Sequence, residues 1–139
     1  HAARLPSWER GVANLLHVLG HLRRTCPTLA MNHLAVMGHS QGGDISVRFA
    51  MEHPEQLEKL LTLDNRRLAL PRTEHPQVYS LRSCDQPADP GVVPTPEEAR
   101  EHRMTIVSPA DIGHNDMGNR GTPAQQAFVL ATVRRWMME

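Results

Sequence analysis

The sequence predicts a single α/β domain in which flanking helices cover a mostly parallel sheet. Three observations predict it. Helix-period and short apolar stretches alternate in the order helix, strand, helix, strand, strand, helix, strand, helix. The strand stretches, such as Leu34-Ala35-Val36-Met37 and Leu60-Leu61-Thr62-Leu63, are near-continuously apolar, as strands covered on both faces are. The 139 residues are one domain's worth at about 100–200 residues per domain, so residues 1–139 are read as one unit.

Ser7 is the expected N-cap of a first helix over residues 8–24, where Trp8, Val12, Leu15, Leu16, Leu19 and Leu22 recur at helical spacing. Pro27 lies beyond it, where it cannot continue the hydrogen-bond ladder. A strand at 34–37 follows, then a helix from Gln41 to His53 that stops at Pro54. Residues 60–63 and 78–81 read as further strands, with Asp64 at the carboxyl end of the first. Three prolines, a glycine and two aspartates between Ser83 and Pro94 mark a loop. Thr95-Pro96-Glu97-Glu98 is a capping box with proline at the first helical position, predicting a helix over 96–103. Met104-Thr105-Ile106-Val107 supplies a fourth strand, and Thr122-Pro123-Ala124-Gln125 repeats the capping pattern to open a last helix.

Composition narrows the function. Fifteen basic and fifteen acidic residues balance, so the chain lacks the positive charge that binding a nucleic-acid backbone requires. No apolar run approaches the roughly 20 residues of a membrane span. Cys26 and Cys84 are too few for a disulfide scaffold and lack the paired spacing of a zinc site. They read as free thiols. His17 and His21 have the i, i+4 spacing of a metal pair, but they fall on the polar face of the first helix without an acidic third ligand and read as solvated. Neither metal nor organic cofactor is expected.

Gly38-His39-Ser40-Gln41-Gly42-Gly43 follows a predicted strand and opens a predicted helix, the context a G-x-S-x-G nucleophile elbow requires. In that context the glycines make room for a tight backbone path, and Ser40 stands at a helix N-terminus. The Gln41 N–H then faces a developing oxyanion. A phosphate-cradling loop is the rival reading, but the Walker Lys-Ser/Thr and the dinucleotide G-x-G-x-x-G spacing are both absent.

On these residues the chain resembles the α/β-hydrolase family, whose order is Ser, acid, His. The resemblance implies an esterase-like serine hydrolase acting on a small-molecule acyl ester without a cofactor. His114, in Gly113-His114-Asn115-Asp116, matches the general base after the last strand. For the acid, Asp89 in Asp89-Pro90-Gly91-Val92 is the first choice, Asp85 competes, and Asp64 is a third option that some branches of the fold use. His39 flanks the nucleophile, where it lines the site or merely fills the motif's variable position. The same triad also serves thioester cleavage and acyl transfer.

The resemblance covers nearly the whole chain but only the carboxyl-terminal part of the family domain, because no strand is read before residue 33. The chain opens on His1 rather than Met and reads as cut from something longer, and against the family it lacks the first strands and the second oxyanion donor. The strand at 34–37 is then expected to be an apolar edge open to self-association, and any pocket to be shallow. A non-catalytic fragment that pairs through this edge is the alternative function.

Overall fold

A computed structural model describes residues His1–Glu139. After a short 3-10 turn come α1 (Leu5–Thr25), β1 (Ala35–His39), α2 (Gln41–Glu52), β2 (Lys59–Leu63), β3 (Gln77–Leu81), α3 (Pro96–Glu101), β4 (Thr105–Val107) and α4 (Pro123–Met138). The four strands form one all-parallel sheet in the order β1-β2-β3-β4. The predicted alternation of helices and strands is therefore present.

Strand register explains both cores. Val36, Leu60 and Val78 sit side by side and face α1, α2 and α3, where Val12, Val47, Phe49 and Met104 join them. Their neighbours Leu61 and Tyr79, like Leu63 and Leu81, face the opposite side and pack with Ile112, Met117, Val129 and Trp136. Successive strand residues thus bury themselves in different layers, and the apolar runs in β2 and β3 cover both faces. Each fully buried Leu or Val contributes about 1.5–3 kcal/mol relative to exposure. Trp136 stacks at a tilt on Tyr79, and Lys59 Nζ donates to its carbonyl, fixing the end of α4 under the sheet.

The structure departs from the sequence reading by more than one residue at three boundaries. Helix α1 begins at Leu5 with proline in its first turn, so Ser7 is not the N-cap. Its hydroxyl instead accepts a hydrogen bond from Gln41 Nε2, tying α1 to α2. Strand β1 continues through Gly38 and His39, two residues beyond the apolar run. Helix α3 closes at Glu101, and Arg103 then turns through a left-handed conformation into β4.

Strand β1 is an edge of the sheet, with Met37 52% exposed at its centre. Open apolar grooves flank it on both faces, one walled by Leu15, Val18 and Ile45, the other by Met117, Val129 and Leu130. No helix is long and apolar enough to cross a membrane.

Candidate active site

Three carboxyl strand ends supply the site. Ser40 stands between β1 and α2 at φ 55° and ψ −120°, a conformation costly for a residue with a side chain. Surrounding bonds hold it there. Its N–H donates to the Leu63 carbonyl, and its own carbonyl accepts the Asp44 N–H as the first bond of α2. A Cβ on Gly38 would run into the Gly42 backbone, and one on Gly43 would lie 2.9 Å from Asn65 Cβ. Gly42 faces open space, so crowding at the turn explains Gly38 and Gly43 but not the second glycine of the G-x-S-x-G pattern.

The side chains form one hydrogen-bonded chain. Ser40 Oγ lies 3.1 Å from His114 Nε2, and His114 Nδ1 lies 2.5 Å from Asp64 Oδ2. With Nδ1 donating to the carboxylate, Nε2 is free to accept the serine proton. The Gln41 N–H opens α2, where a helix has no internal partner for it. Its side chain points away to Ser7, and the backbone donor is left for an anion at Ser40.

Comparison with protein-family models, curated proteins and solved structures found no match.

The carboxylate that meets the imidazole is Asp64, not Asp89 or Asp85. Asp89 turns away and pairs with Arg67 at 2.6 Å. Together with Met51 and Leu68 they line a separate cleft of about 420 Å³. Asp85 Oδ1 accepts the backbone N–H of His114 at 2.8 Å, so it holds the loop rather than the ring. His39 holds the other side of the same residue: its Nε2–H donates to the His114 carbonyl at 2.9 Å, and the two rings lie 4.6 Å apart. Burial and the facing His114 ring push the His39 imidazole below its ordinary value, which leaves it neutral at pH 7.

Asp64 is fully buried, at φ 54°. Burial pushes its carboxyl up, but four groups outweigh it and hold the group below its ordinary value: the Ser83 N–H, His114, the Ser83 hydroxyl and the Arg82 charge. Ser83 N donates to Oδ1 at 3.0 Å and Ser83 Oγ to Oδ2 at 2.7 Å. Arg82 Nη2 lies 3.2 Å from Oδ1. Arg82, Ser83 and Asn65 are not singled out by the sequence. The usable signal is Asp64 directly after an apolar strand, since that run places the carboxylate at the buried rim of the sheet.

No group of three or more His, Cys, Asp or Glu side chains converges to hold a metal ion. Cys26 and Cys84 are both free, and Cys84 is exposed.

Proposed function

We propose that this chain is a serine hydrolase that cleaves a carboxylic ester, or a thioester or amide, through an acyl-enzyme on Ser40. The observation that carries the reading is the continuous Ser40, His114, Asp64 hydrogen-bond chain that starts from a serine held at positive φ. The resemblance of Gly38–Gly42 to the α/β-hydrolase elbow, and the all-parallel sheet that presents it, point the same way. The acid of this proposal is Asp64.

His114 Nε2 takes the Ser40 proton as Oγ attacks the substrate carbonyl carbon. The resulting oxyanion accepts the Gln41 N–H at the positive end of α2. Collapse of this intermediate breaks the bond to the leaving group, which departs with the proton from His114. Water then gives a proton to His114 and attacks the acyl carbon, and the Oγ–acyl bond breaks as His114 returns that proton to Oγ, which releases the acid and restores Ser40. Asp64 keeps the imidazole in the required tautomer and stabilises its cation.

A second reading, in which the chain binds another polypeptide and does no chemistry, is favoured by the half-exposed Met37 on the unpaired edge of β1. Covalent labelling with a fluorophosphonate, read by intact mass and peptide mapping, separates the two. The hydrolase reading expects one label, on Ser40, with none on Ser40→Ala, and hydrolysis of a short-chain nitrophenyl ester that Ser40→Ala abolishes. A folded chain that neither labels nor hydrolyses sinks it. Products formed with an added alcohol then separate hydrolysis from acyl transfer.

A further inference from the structure

We propose that Arg82 is a positioning residue of this site, whose buried guanidinium, anchored on Asn65 and Ser80, fixes the Asp64 carboxylate against His114. The inference rests on the hydrolase reading and adds to it a group that touches neither substrate nor the reacting atoms.

Arg82 is 6% exposed and lies one residue past β3. Its Nη1 donates to Asn65 Oδ1 at 3.1 Å and to Ser80 Oγ at 3.3 Å, while Nη2 donates to the Asn65 carbonyl at 2.8 Å. The anchors are themselves fixed. Asn65 Nδ2 donates to the Leu68 carbonyl, which turns its oxygen toward the guanidinium, and Ser80 Oγ accepts from Thr62 across the strands. Three neutral acceptors therefore set the position of the charge without help from Asp64, and Nη2 arrives 3.2 Å from Asp64 Oδ1. Lysine has no planar fork to span these acceptors.

Stability alone is a weak reason for such a pair, because desolvating two charges offsets much of their attraction. The arrangement does more for chemistry. Asp64 and Arg82 together are neutral, so the carboxylate can be fully buried and remain ionised while His114 is unprotonated. The other charged or titratable groups facing the cluster are Asp44 and Arg66 near Arg82, and His39 and Asp85 against His114. Removing the guanidinium leaves a buried carboxylate that favours a proton on the Asp64–His114 pair. The base is then occupied up to a higher pH.

The test uses the whole chain, with Arg82→Met and Arg82→Lys checked for folding by circular dichroism. Two quantities are followed against pH: the rate of fluorophosphonate labelling, and the deshielded proton resonance of the imidazole N–H bonded to Asp64. In Arg82→Met the acid limb of the labelling rate is expected to move up by about one pH unit, which is about tenfold in rate along that limb. The change of that resonance from its imidazolium position to its neutral-imidazole position should come at correspondingly higher pH, and Arg82→Lys should fall between this variant and wild type. A folded Arg82→Met that matches wild type in both readouts overturns the proposal. Should that variant not fold, Arg82→Lys decides, and coincidence with wild type again overturns it. If the wild type does not label, the hydrolase reading fails, and the resonance alone still tests Arg82.

Discussion

Asp64 and Asp89 each follow the carboxyl end of a parallel strand, β2 and β3, and their surroundings differ in every respect that matters to a carboxylate. Asp64 is wholly buried at the sheet rim, where Ser83, His114 and Arg82 surround its two oxygens. Asp89 sits in a proline-rich loop and meets one partner, Arg67, with both side chains about a third exposed. An ion pair left in water gains little and holds no fixed geometry, since screening and side-chain entropy offset the attraction. A buried carboxylate has a single arrangement because every alternative leaves a donor unpaired. Proline and glycine around an aspartate therefore mark a surface turn, whereas an aspartate ending an apolar strand is carried into the site.

The largest expected effect breaks or upholds this contrast directly. Asp64→Asn should lower kcat for ester hydrolysis by about 10⁴-fold, because the amide favours the wrong imidazole tautomer and removes the compensating charge. Asp89→Asn should leave kcat at the wild-type level. Comparable losses in the two variants would mean that burial does not select the acid.

The same contrast extends to stability. The folded Asp64 carboxyl lies below its ordinary value of 3.8, so the unfolded chain takes up the proton first as pH falls. Its contribution is fully present above about pH 4 and disappears as pH drops through the lower folded value. Asp64→Asn should thus cost about 3 kcal/mol at pH 7, where Arg82 is left unpaired, and progressively less below pH 4. Chemical denaturation across that range measures the difference. A gap between wild type and variant that stays constant with pH contradicts the buried, ionised state of Asp64.

Much of this organisation is legible in the sequence, for identifiable reasons. Leu60–Leu63 shows a strand because burial on both faces demands apolar residues at successive positions, and Thr95 and Thr122 show helix starts because their capping boxes are local. Ser40 is legible since Gly38 is required by the backbone crossing at Gly42. His114 is legible from its place after the last strand. The acid is harder, because pairing depends on which strand end the fold sets beside His114, and chain order leaves three candidates. Arg82 is not legible at all. Nothing local marks the arginine after Val78–Leu81, and only the assembled sheet brings Asn65 and Ser80 around it.

The smallest expected effect concerns Asp85, and it separates the need for a charge from the need for an acceptor. Asp85 Oδ1 accepts the His114 N–H while the His39 ring donates to the His114 carbonyl, so His114 is held by its backbone from both sides. A backbone donor requires an oxygen and no charge. Asp85→Ala should accordingly cost about 1 kcal/mol in stability, the usual net worth of one such bond, and lower kcat by less than about tenfold as the loop loosens. Asp85→Asn keeps an oxygen within reach and should restore both to near wild type. The isosteric change to asparagine is then severe at Asp64 and mild at Asp85, though both residues contact His114. Denaturation midpoints and kcat measured side by side decide it: if Asp85→Asn loses as much activity as Asp64→Asn, the imidazole has Asp85 as its acid and the buried carboxylate is only its neighbour.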